Sequence, residues 1–520
     1  MFDLLKFVYE HYEYYFVLMT CMIASLIAFT IFRKKVVTIC EKCFCYLLAI
    51  ISNFVISILF IHKFWIYREN MGMDILAFII ENILSFFIAL VISIIIIHIK
   101  YFYGYITKRY AVSKWIEDNK WGLGIGFFLI VTMILELPDA INEWGAVWYA
   151  TDYSMGIGAR FFVGNLLSFL AGGYIETSDA YWFCVLSVVL VIILFSVVVN
   201  QLIKKTEEEY RNVILFVIGI FVASPGAIAG MWQKGAFGRL ETYGLLIALL
   251  AIIVFEKSKN IYLKYLIVTV LSCISMAIYQ GDIFLYYPII LMLFVYDSIC
   301  TVEYLKVKRI LGSVSIFFTG MTFLYFQFFS HTNFNNVSEI VGEISLKTDL
   351  PIAAPALDLE CFQSVAVAFQ SINRHFLMGD ELPREKIFFT LCLIIPIVVL
   401  ILAIYLKCDE YRKKQNIEIL KTPYMYYIIL PAAVIPQYLL NVDWGRWMRA
   451  TVIVFFIGIL YLFHKKDKGM MLAMERLNDF IQKHKFLCLL IIIFMASLDK
   501  FTERQFISEV DTFTRYFWSY

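Results

Sequence analysis

The chain has 520 residues, of which 61% are hydrophobic and only 17% charged, and its formal net charge is +2. That balance excludes an ordinary soluble domain, where roughly a quarter of residues carry charge. The net charge says nothing about nucleic acid, and no basic stripe points to a nucleic-acid partner, so none is expected.

The apolar residues fall in continuous blocks of about 15–25, the length a bilayer asks of a helix. Continuous blocks do not fit the alternating strands of a membrane β-barrel. The expected fold is therefore all-α, a polytopic transmembrane helical bundle of about 14 spans. The spans are read at 15–32, 44–62, 75–99, 121–137, 181–202, 213–231, 240–255, 264–279, 283–299, 310–329, 387–406, 423–440, 448–464 and 486–499.

The N-terminus lacks the basic region and small-residue cleavage site of a signal peptide, so the first span is expected to stay in the mature protein. Residues 1–120 read as an N-terminal three-span module, and 121–520 as the main membrane domain. Glu81 lies inside the third span, where a carboxylate is costly and often functional. Cys40, Cys43 and Cys45 lie together beside Arg33, Lys34 and Lys35, but no second ligand pair at matching spacing follows. No metal site is therefore assigned, no cofactor is expected, and a divalent metal is left open.

Lysine and arginine set the orientation. With the N-terminus outside, 29 of the 44 Lys and Arg residues fall in the segments between spans that face the cytoplasm. Two long segments then face outward, 138–180 and 330–386. The first holds Asp139, Asp152, Trp144, Trp148, Tyr149, Tyr153 and the lone base Arg160. A short apolar stretch, Phe161 to Leu170, follows the fourth span and is too short to cross a bilayer. It is expected to be an external helix lying on or dipping into the membrane. In the second segment, Phe362, Val365, Phe369, Ile372 and Phe376 recur at helical spacing, which predicts an amphipathic helix on the outer leaflet or a lid on other loops. The stretch before it, with Asn333, Asn335, Asn336 and Pro351, reads as flexible.

On this orientation the unusual polar residues share one face. Asp152 and Arg160 lie in the first loop, and Lys234 and Arg239 after the sixth span. Gln280 and Asp282 lie between the eighth and ninth spans, and Asp443, Trp444, Arg446 and Arg449 after the twelfth. Transfer of a sugar from a lipid phosphate needs such a set. A carboxylate deprotonates the acceptor hydroxyl, and guanidinium forks hold the departing phosphate. Asp152, with Asp139 and Asp443 as alternatives, is the candidate base. Arg160, Lys234, Arg239, Arg446 and Arg449 are the candidate phosphate ligands. Trp144, Trp148, Tyr153, Gln280, Asp282 and Trp444 are candidate substrate contacts, the tryptophans as interfacial or sugar-stacking rings.

The large first external loop with its acid, the surface helix after it and the motifs DYSMGIGAR, FGRLE and DWGRW resemble the GT-C superfamily of membrane glycosyltransferases and membrane proteins of bacterial surface-polysaccharide clusters. The resemblance covers about residues 121–464. It implies a polyprenyl-phosphate-linked sugar donor, a glycan or lipid-linked acceptor, a base in the first external loop, and a bacterial cytoplasmic membrane with the site facing outward. The family's paired-acid motif is not clearly present. A polymerase of lipid-linked repeat units, which also works outside the membrane, is the second reading. A non-enzymatic transporter or flippase is the third. Polar groups at span ends rather than at the bilayer midplane disfavour transport.

Overall fold

The computed structural model describes residues 112–362 and 395–497, apart from short stretches near 137–139, 205–207, 224–227, 233–234, 301–303 and 436–443. The chain divides into two units, Met1–Lys120 and Trp121–Tyr520. The first three expected spans, Glu81, the helix expected after Phe362, and the candidates Asp139, Lys234 and Asp443 lie outside the described residues, as does the side chain of Trp444.

The described chain is helical almost throughout. Its principal helices are α1 (Val112–Glu136), α2 (Phe161–Ala171), α3 (Thr177–Ile203), α4 (Arg211–Ala223), α5 (Glu241–Lys257), α6 (Ile261–Ile278), α7 (Tyr287–Cys300) and α8 (Leu305–Phe328). They continue with α9 (Val337–Ser345), α10 (Ala354–Cys361), α11 (Ile395–Lys414), α12 (Pro423–Ile429), α13 (Trp444–His464), α14 (Lys468–Lys483) and α15 (Lys485–Ser497). In hydrocarbon every backbone polar group must be satisfied within its own segment, so long apolar runs have no alternative to helix. Polar caps mark the ends. Glu176 and Asp179 form a reciprocal capping box at α3, and Asn260 accepts from the backbone of Tyr262 and Leu263 at α6.

Among the described residues, four helices are long and apolar enough to cross a membrane: 177–203, 261–278, 305–328 and 446–464. They differ in position. The apolar window of α13 is 83% buried inside the protein, whereas that of α8 is only 17% buried. So α13 is central, and α8 turns Phe317, Phe318, Met321, Leu324 and Phe328 outward. Helices packed in lipid gain little from hydrophobic contact and rely on close approach of small residues. A Cβ on Gly122 of α1 would lie 2.7 Å from the Ser196 carbonyl oxygen of α3, so glycine sets how near these helices come.

Some segments depart from the sequence reading. Helix α4 ends at Ala223, and a 3-10 turn, Ile228–Trp232, follows. Residues 468–483, read as a basic connection, form α14. Its Met470, Ala473, Met474 and Ile481 are buried, and it packs along α11.

The segment 330–362, expected to be flexible, holds helices α9 and α10 and pairs with the first loop. Strand β1 (Gly156–Ile157) pairs antiparallel with β2 (His331–Thr332), and Ile175 bridges Thr348. The Asp349 carboxylate accepts from the backbone and hydroxyl of Thr177 at 2.6 and 2.9 Å. The two long loops therefore form one cap. The strand pair brings residue 156 beside 332, so the helices between them must return the chain to the side it left.

At the opposite end, Lys264 and Lys308 hold Asp297 at 2.9 and 3.2 Å. Lys465 and the Tyr461 hydroxyl hold Glu256 there, at 2.8 and 2.7 Å. These groups sit at the last turns of α5, α7 and α13 and the first turns of α6 and α8. Helix ends alternate between the cap and this lysine-rich face.

Candidate functional site

The cap end gathers charged groups from four places in sequence. Glu241 opens α5 and is 3% exposed. Its Oε1 accepts from Arg446 Nη1 at 3.0 Å and lies 3.4 Å from Arg449 Nη2. Arg446 and Arg449 are three residues apart at the start of α13, a spacing that puts both on one helix face. Arg449 Nη1 also donates to the Gly230 carbonyl at 2.7 Å, which ties α13 to the 3-10 turn after α4. Arg239 acts electrostatically on Glu241 from two residues upstream. Burial, with Arg446 beside it, draws the Arg239 guanidinium down to about 9, so it stays cationic at neutral pH. Among the described residues, one carboxylate thus stands among three guanidiniums.

Arg446 and Arg449 are enclosed by protein, at 6% and 1% exposure. Trp232 and Trp447 are fully buried packing groups, not open stacking rings. Arg446 lies over the Trp447 ring, 5.0 Å from its centroid. Four buried donors, Arg160 Nε, Arg449 Nε, Trp232 Nε1 and Trp447 Nε1, have no hydrogen-bond partner among the described residues. Such donors are rare in native interiors and call for an acceptor.

Asp282 lies under the same end, fully buried. It accepts from the Ser275 hydroxyl at 2.5 Å through Oδ2, while its Oδ1 has no partner among the described residues. Burial, with Glu241 nearby adding to it, raises its pKa well above the usual carboxylate range. Gly244, one turn into α5, makes the room, since a Cβ there would meet the carboxylate at 1.7 Å.

Arg160 occupies the rim, with 23% of its side chain exposed. Its guanidinium lies between two rings, 4.9 Å from the Trp148 centroid and 5.0 Å from that of Tyr279. Its acid is Glu360 of α10, at 2.8 Å, and Gln280 also donates to Glu360. Arg160 is fixed by the packing of α2 behind it. A Cβ on Gly164 would lie 1.9 Å from the Thr151 carbonyl oxygen, so only glycine admits this approach.

Asp152 sits elsewhere in the cap. Its carboxylate accepts from the backbone and hydroxyl of Ser154 and from Lys347 Nζ at 3.1 Å. Partial burial pushes its pKa up, but the bonds from Ser154 and Lys347 outweigh that and hold it below the ordinary range. Trp144 and Tyr153 are exposed, and Trp148 is buried beneath Arg160. The sequence reading did not single out Glu241, Tyr279, Lys347 or Glu360. Of these, Glu241 carries a visible signal, as the acid of FGRLE two residues after Arg239. No family model, no curated protein and no solved structure matches the chain.

Proposed function

We propose that this protein is a membrane glycosyltransferase that moves a sugar from a polyprenyl-phosphate carrier to a glycan or lipid-linked acceptor, at the capped end and on the outer face of a bacterial cytoplasmic membrane. The reading takes the bundle as about 14 spans with a surface helix after the fourth. The observation that carries it is the convergence of Arg239, Arg446 and Arg449 on Glu241, with Arg160 at the rim. Guanidinium forks match phosphate oxygens in pairs, and in a water-poor site they stabilise the charge that grows as the sugar departs. The exposed apolar side chains of α2, Leu166, Phe169 and Leu170, suit a helix half-sunk in lipid beside Arg160, where a carrier phosphate would arrive.

Asp152 is the proposed base, with Asp139 and Asp443 as alternatives. It is ionised at neutral pH, but Lys347 keeps it weakly basic.

The test is binding of a polyprenyl monophosphate to the purified protein in detergent micelles. Arg446→Gln or Arg239→Gln should weaken it roughly 10- to 100-fold, the worth of a charge-assisted contact. Folded variants that bind as tightly as the parent would refute the phosphate site.

A further inference from the structure

Glu360 is an acid placed where a phosphate ligand of Arg160 would be expected. It reaches Arg160 from the last turn of α10, in the second loop, and Gln280 reaches it from the turn after α6. The pair is accessible, at 23% and 22% side-chain exposure, unlike Arg446 and Arg449 beneath it. Arg160 is held between Trp148 and Tyr279 and cannot follow a departing partner far. The rest of the cap is tied down independently, through β1–β2, Ile175–Thr348, Thr177–Asp349 and Asp152–Lys347. The contacts of Arg160 and Gln280 with Glu360 are what join the last turn of α10 to the rim.

We infer that the Glu360 carboxylate is an internal stand-in for an anionic ligand: a lipid-borne phosphate takes its place on Arg160 and releases the last turn of α10. The inference rests on the phosphate reading above and adds a closing device to that site. Exchange of one anion for another leaves the guanidinium paired in both states, so neither state strands a half-buried charge. It also keeps the arginines beneath covered until a carrier arrives.

Cys361, next to Glu360 and partly buried, reports the release without an introduced cysteine. Burial first, and then the Glu360 charge, push its thiol up to about 12, while Arg160 pulls it down. Glu360→Gln and Arg160→Gln therefore shift the thiol in opposite directions, yet both break the pair. Labelling of Cys361 by a maleimide, located by peptide mass spectrometry, should quicken in both variants by roughly three- to ten-fold, the worth of a partly exposed ion pair. Opposite changes in the two variants would mean electrostatics alone, and would overturn the inference. In the unaltered protein, a polyprenyl monophosphate in detergent micelles should quicken labelling to a similar degree. Glu360→Gln should bind that lipid several-fold more tightly than the parent, having no internal competitor. If the lipid binds and Cys361 labelling stays unchanged, the displacement is wrong and the phosphate site stands. If the lipid does not bind at all, both fall.

Discussion

Asp152 illustrates how one carboxylate serves two demands. Lys347 and Ser154 fasten it across the cap, so it is a structural contact as well as the proposed base. Asp152→Asn keeps the shape and removes the base, and transfer should fall roughly 10²- to 10⁴-fold. The cap should also loosen, contrary to what a free loop acid would do. The pH dependence follows from its lowered native pKa. The stabilisation is complete above the unfolded aspartate value of about 3.9 and is lost as pH falls through the lower native value. Thermal melting from pH 6 downward should show this acid loss in the parent and a smaller one in Asp152→Asn. Identical acid profiles would mean the Lys347 contact contributes nothing. None of this was legible in the sequence. Residues 152 and 347 share no motif, and only the fold brings them together.

At the scale of elements, legibility followed solvent. Lipid forces long apolar runs into helix, so α3, α6, α8 and α13 stand where hydropathy puts them, within a few residues. The cap has no such constraint. Its strand pair is two residues on each side, too short for any period to register, and it joins segments far apart in sequence. The amphipathic α14 was hidden by its lysines, which read as a loop although its buried side chains recur at helical spacing. Close packing at the site is equally specific. Gly244→Ala would drive a methyl group onto Asp282, a short side chain with nowhere to swing. It should cost about 1–3 kcal/mol of stability, as overpacking does. A thermal melt matching the parent would show that α5 and the Asp282 turn separate easily.

For the molecule as a whole, the two faces of the bundle differ in chemistry. The cap face carries arginines buried around Glu241, and the opposite face carries lysines paired with Asp297 and Glu256. Lysine and arginine excess marks the cytoplasmic side, which is why we propose that the cap faces outward. A cysteine at Ser338 of the cap should react with an impermeant thiol reagent on intact cells, and one at Lys414 should not. The reverse pattern would turn the site inward.

Chemistry on the carrier, rather than its passage, is the central claim, and reconstituted vesicles decide it. The protein would be incubated with polyprenyl-phosphate-linked sugars labelled in the sugar together with a glycan or lipid-linked acceptor, with release of polyprenyl phosphate measured alongside the leaflet the label occupies. The sugar should pass from the phosphate to the acceptor hydroxyl, free polyprenyl phosphate should accumulate, and Arg446→Gln and Asp152→Asn should slow that release, Asp152→Asn by roughly 10²- to 10⁴-fold. Labelled lipid that changes leaflet intact, at the same rate in the parent and in Asp152→Asn, would contradict the claim.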